Sequence, residues 1–139
     1  MSAGGDEDAI KDVVTNFFKG FSKDPGIDYS TKFTVGDEMR FVRPTGNPIG
    51  MLGFKAMFQS EAMGDDATND VWDWNKIHVG TDSALCCVTH HATFTYEGTP
   101  NEDVAVSSFY LTKAEGDWKI LWAQRSTGRP PTDAKPEGF

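Results

Sequence analysis

The chain has 139 residues, 38 % of them hydrophobic, enough for one globular domain that buries roughly two thirds of the surface its unfolded chain exposes. A formal net charge of −8 and a pI near 4.7 argue against nucleic acid and anionic membrane as partners, because both repel an acidic surface before contact. The N-terminal Met-Ser-Ala-Gly-Gly-Asp-Glu-Asp has no basic region leading into an apolar run, and no stretch approaches the roughly eighteen apolar residues of a membrane span. The expected location is the cytoplasm.

From Asp8, the residues Ile10, Val13, Val14, Phe17, Phe18 and Phe21 recur at helical spacing and form one apolar stripe. Asp6, Glu7 and Asp8 suit the positive end of that helix, and Asp24-Pro25-Gly26 is expected to stop it. A short helical piece near Asp28 to Phe33 precedes a first strand over Glu38 to Pro44, closed by the turn Thr45-Gly46-Asn47-Pro48. Met51, Phe54, Phe58 and Ala62 then mark a second amphipathic helix.

Long strands are expected over Asn69 to Val79, Ala84 to Tyr96 and Asp103 to Lys113, followed by a last one beginning at Trp118. Gly80-Thr81-Asp82-Ser83, Glu97-Gly98-Thr99-Pro100 and Ala114-Glu115-Gly116-Asp117 are the turns between them. Helices packed on one antiparallel sheet make an α+β domain over residues 1–128, with a Pro-rich polar tail over 129–139. The last strand, Trp118-Lys119-Ile120-Leu121-Trp122-Ala123-Gln124-Arg125-Ser126, carries large side chains on both faces. A sheet that needs cover on both sides in so small a domain borrows one cover from a partner subunit, so a homodimer is expected. Cys86 and Cys87 are neighbours on a strand and point to opposite faces, which suits buried free thiols better than a disulfide.

The element order, together with Phe41-Val42-Arg43-Pro44-Thr45-Gly46-Asn47-Pro48, Gly53, Ile77-His78-Val79-Gly80, Asp82-Ser83-Ala84 and the last strand through Ser126, resembles the NTF2-like superfamily over about Asp8 to Gly128. Within it, the local likeness is to SnoaL-like proteins and to the association domain of calmodulin-dependent kinase II. The resemblance implies a cone: a curved antiparallel sheet whose concave face is covered by the N-terminal helices and whose convex face meets a second subunit. One departure stands out, since this chain has Trp122 and Gln124 where many relatives carry histidines on the last strand.

Strand alternation sorts the candidate site residues. If Thr81-Asp82 is a two-residue turn, His90 pairs with Asp73 and His91 with Trp72. An Asp73–His90 dyad is the sharpest catalytic candidate, because a carboxylate holding one imidazole nitrogen orients the other as a base; a structural hydrogen bond, or no contact, are the alternatives. If the last hairpin also turns on two residues, Trp122 faces Phe109 and Gln124 faces Ser107, with Tyr110, Ser108, Leu121, Ala123 and Arg125 on the other side. Tyr29, Trp72, Trp74, His91, Tyr110, Trp122 and Gln124 are the candidate ligand-binding residues, against the simpler role of filling the core or dimer face.

Asp28 and Asp37 are candidate proton-transfer carboxylates or plain loop acids, and Arg40 or Arg43 a candidate carboxylate clamp or surface ion pair. The histidines His78, His90 and His91 have no ligand spacing, so no metal is expected. No Gly-rich phosphate cradle and no Gly-x-Ser-x-Gly elbow occurs, and no cofactor is expected. Two functions fit. One is a small-molecule-binding domain with an aromatic-lined cone pocket, suited to cofactor-free isomerisation, dehydration or cyclisation. The other is a non-catalytic association module.

Overall fold

The apolar stripe at the N-terminus folds as helix α1 (Ala3–Lys19), with Ile10, Val14, Phe17 and Phe18 buried. The computed structural model describes residues 3–19, 31–44, 47–59, 64 and 66–127. Tyr29, Asp28, Phe21, the Asp24-Pro25-Gly26 stop and the tail lie outside the described residues. After short 3-10 turns at Thr31–Phe33 and Gly36–Glu38 come β1 (Arg40–Val42), β2 (Pro48–Ile49), α2 (Met51–Gln59), β3 (Thr68–Val79), β4 (Ser83–Tyr96), β5 (Thr99–Ala114) and β6 (Asp117–Thr127). The strands form one open six-stranded sheet in the order β2-β1-β6-β5-β4-β3.

The four long strands are antiparallel, as expected. The sheet is nevertheless mixed, because β1 joins β6 in parallel, with Phe41 beside Ala123. The expected turn after β1 contains Pro48, the first residue of the two-residue strand β2. β5 begins at Thr99 instead of Asp103, since Glu97 and Gly98 close a tight hairpin between Tyr96 and Thr99. At that hairpin and at Glu115-Gly116 both central residues have positive φ, 50° and 80° in one and 54° and 86° in the other. Such turns match the right-handed twist of paired strands, and glycine supplies the second position without steric cost.

Helix α1 crosses the sheet on the side of Val88, Phe109, Leu111, Trp118 and Ile120 and forms the core with them. Phe17 stacks on Phe54 of α2 at 5.7 Å and meets Phe109 edge-on at 6.1 Å. Phe18 meets Phe109 edge-on at 5.6 Å, and Phe41 meets Phe54 in the same way at 5.8 Å. Offset and edge-on contacts of this kind align the positive edge of one ring with the negative face of another. The far end of α1 is tied down by Asp6, whose Oδ1 accepts from Trp118 Nε1 at 3.2 Å and from Lys113 Nζ at 3.4 Å. These partners, Trp118 first, hold the Asp6 carboxyl below its ordinary value.

Beta-bulges set which residues share the covered face. The β3–β4 hairpin turns on Thr81-Asp82, with Gly80 N–H donating to Ser83 O at 2.7 Å. Register shifts between Trp74 and Lys76 and between Val71 and Asp73 then add a residue to β3 at each place. In β6 a register shift beside Leu111 and Tyr110 leaves Leu121 as the extra residue. Each insertion changes the partner of every residue beyond it.

Glu115 occupies a left-handed position that asparagine adopts more readily. Glu115→Asn is expected to stabilise the protein by roughly 0.5 kcal/mol, read as a higher urea midpoint at unchanged slope; a lower midpoint would show that the hairpin does not fold as described.

Candidate functional site

On β4 the alternate residues Ala84, Cys86, Val88, His90 and Ala92 are all buried, and on β5 so are Ala105, Ser107, Phe109 and Leu111. This is the period-2 signature of strands with one covered face. Two members of these stripes, His90 and Ser107, are polar, and His90 is fully buried. A buried polar group needs a partner. His90 Nε2 lies 2.8 Å from Ser107 Oγ, and Nδ1 lies 3.0 Å from Asn69 Oδ1. Because the Asn69 oxygen only accepts, Nδ1 carries the proton and donates it, while Nε2 accepts from the Ser107 hydroxyl. The imidazole also stacks on Phe18 at 4.6 Å.

Burial, helped by the positive charge of Arg125, pushes the His90 imidazole down to about 3. It is therefore neutral at neutral pH, with both nitrogens engaged. Arg125 is the cross-strand partner of Ser107 and sits on the same face. Its Nη2 lies 3.9 Å from Asp103 Oδ2. Asn69, His90, Ser107, Arg125 and Asp103 thus form a polar group at one end of an otherwise apolar, aromatic face. Among the described residues no three or more His, Cys, Asp or Glu side chains gather as metal ligands.

A family model described as protein of unknown function (DUF3804) matches residues 10–134. The chain belongs to the DUF3804 family. No curated protein matches the DUF3804 chain in sequence. Among solved structures, an NTF2-like protein of unknown function from Prochlorococcus is 26 % identical at a TM-score of 0.77, covering 94 % of this chain and 96 % of that one. A ketosteroid isomerase-like protein from Erwinia carotovora atroseptica is 17 % identical at a TM-score of 0.71, over 88 % and 95 % of the two chains. The association domain of C. elegans CaMKII is 19 % identical at 0.70, over 89 % and 97 %. The DUF3804 protein thus has the NTF2-like α+β fold expected from its sequence.

The expected pairings change with the bulges. Asp73 stands opposite Thr89 and His90 opposite Val71, so Asp73 and His90 point to opposite faces and do not form a dyad. The turn register was as expected; the inserted residues moved the pairs. Likewise Trp122 pairs with Tyr110 and Gln124 with Ser108, while Ala123 and Arg125 take the places beside Phe109 and Ser107. Trp122 and Gln124 therefore lie outside, reversing the expected faces.

Of the remaining candidates, Trp74 is on the covered side, packed against the core with Lys11 Nζ 5.7 Å from its ring centre. Trp72 stacks on His91 at 4.9 Å and 2° between planes, the neighbour expected for it, on the uncovered face. His91 Nε2 is also 2.5 Å from Glu102 Oε2. Tyr110 is exposed on that same face. Arg40 donates to the carbonyls of Asp37 and Met39 at 2.8 and 2.9 Å, and Asp37 is exposed in its turn. Arg43 Nε is buried without a hydrogen-bond partner among the described residues. Cys86 and Cys87 are free thiols, and burial pushes Cys86 up to about 12, which keeps it unreactive.

Asn69, Ser107 and Arg125 were not among the expected site residues. The signal for Ser107 was present in the sequence, as a polar residue interrupting the alternating stripe Ala105, Phe109 and Leu111.

The buried neutral imidazole has a consequence for stability. Its folded pKa lies below the unfolded value of 6.5, so between about pH 6.5 and about pH 3 the unfolded chain binds a proton that the folded chain does not. The stability is complete above that window and is lost as pH falls through it, by up to about 1.4 kcal/mol per pH unit. Urea titrations of wild type and His90→Gln from pH 7 to pH 4 are expected to show a shallower loss in the variant; equal losses would mean that His90 charges freely in the fold.

Proposed function

We propose that the DUF3804 protein is a small-molecule-binding domain whose site is the polar group Asn69, His90, Ser107 and Arg125 on the helix-covered face. The observation that carries this reading is the hydrogen-bonded chain Asn69–His90–Ser107 set into an aromatic surface of Phe18 and Phe109. Binding sites combine an apolar wall with a few fixed polar groups that orient the ligand. A neutral imidazole with both nitrogens occupied acts as a positioning group, not as a base at neutral pH. Binding therefore ranks ahead of His90-driven isomerisation, dehydration or cyclisation. The isomerase-like neighbour, at 17 % identity, supports the fold alone.

A thermal-shift screen with small metabolites is expected to find compounds that raise the melting temperature of wild type and lose at least half of that effect in Ser107→Ala. Compounds that stabilise both proteins equally, or none that stabilise either, would count against the site.

A second reading, association, rests on the other face. Leu85 pairs with Tyr110 and Tyr110 with Trp122, so these three side chains form one row across the uncovered side of the sheet. They are 46 %, 40 % and 41 % exposed. Trp72 on the same side is 51 % exposed. Contiguous large apolar side chains on a sheet mark an interaction surface. A second copy placed on this row would make a homodimer, the arrangement expected from the sequence. Light scattering is expected to give about twice the 15.3 kDa chain mass for wild type and the chain mass for Trp122→Glu. A monomeric wild type would remove this reading without touching the first.

A further inference from the structure

Arg125 is the unusual member of the covered face. Its side chain is 20 % exposed, and its ionic partner among the described residues is Asp103 at 3.9 Å. No hydrogen bond forms at that distance. Asp103, 35 % exposed, shares its charge with water more than Arg125 does. Burial pulls the guanidinium downward and Asp103 opposes that pull. A guanidinium carries five N–H donors in a planar fork, and a partly desolvated one gains most from a carboxylate that takes two of them in parallel.

The surroundings suit such a ligand. Arg125 pairs across the strands with Ser107, whose Oγ is already joined to His90. Ala105 and Ala123, on the same face, are small and buried, in contrast to the phenylalanines packed at the other end. Phe18, itself buried, stacks over His90 and makes the surroundings of the polar group aromatic. The net charge of −8 does not attract anions from bulk solvent, so recognition of an anion has to be local.

We propose that the covered-face site takes a small carboxylate borne on an apolar or aromatic body, with Arg125 as the residue that binds the carboxylate. This rests on the small-molecule reading above and adds the chemical class of ligand. Asp103 then serves as the internal counter-ion that holds the guanidinium in place when no ligand is bound.

The test uses matched acids and primary amides on the full chain: benzoate with benzamide, 3-phenylpropionate with 3-phenylpropionamide, and octanoate with octanamide. Affinities are read by calorimetry, and folding of each variant by circular dichroism. In at least one pair the acid is expected to bind tenfold or more tightly than the amide. Arg125→Gln is expected to remove that preference while leaving the amide within about twofold, and Arg125→Lys to keep part of it, because an ammonium retains charge without the fork. Asp103→Asn is expected to raise acid affinity several-fold, which tests the idea even if the Arg125 variants fail to fold. Amides that bind as tightly as their acids, or acid binding unchanged in Asp103→Asn and in a folded Arg125→Gln, would overturn the carboxylate assignment and leave a neutral-ligand site standing. No binding by either series at millimolar concentration would overturn both readings.

Discussion

One extra residue in a strand turns over everything that follows it, and in this protein that constraint decides the site. Leu121 is inserted in β6 just before the pairs Tyr110–Trp122, Phe109–Ala123 and Ser107–Arg125. With it, an arginine faces the covered side and a tryptophan the open side. Without it, the same hairpin turn would place Trp122 against Phe109 and Gln124 against Ser107. The helix-covered face would then have to enclose a third indole beside Trp74 and Trp118, and overpacking of that kind is destabilising.

The bulges in β3 act in the same way on the opposite side of the central strand pair. They bring Val71 beside His90 and send Asp73 to Thr89. Asn69, further along the same face, can then reach the imidazole. A neutral amide in place of a carboxylate matters electrostatically, because an ionised partner would stabilise the imidazolium whereas an amide leaves burial to dominate. The result is a relay of satisfied hydrogen bonds in a buried, aromatic surrounding, with Arg125 and Asp103 as a charged pair beside it. The two faces of the sheet consequently have different chemistry: buried polar groups within rings on one, and a row of large exposed apolar side chains on the other.

Much of the architecture was legible in the residues themselves. The 3.6-residue stripe of Ile10, Val14, Phe17 and Phe18 specified a helix and its buried side, because helical geometry stacks those positions regardless of context. Glu97-Gly98-Thr99-Pro100 and Ala114-Glu115-Gly116-Asp117 marked the turns on either side of β5, the first of them shorter in the fold because Thr99 already pairs with Tyr96. The six-residue-wide view of a strand does not extend to bulges, since an inserted residue carries no required side chain; Trp72, Asn75 and Leu121 look like ordinary strand residues. The parallel docking of β1 on β6 was equally invisible, because it joins segments far apart in sequence through backbone groups common to every residue.

The sequence by itself determined the local elements, their turns and the NTF2-like order, because periodicity and glycine chemistry act over a few neighbouring positions. Tertiary structure alone decided which face each β6 side chain occupies, and therefore that Arg125 and not Trp122 meets Ser107 and His90. The physical reason is that face is set by cumulative register, and register is fixed by how the whole sheet packs against α1 and α2.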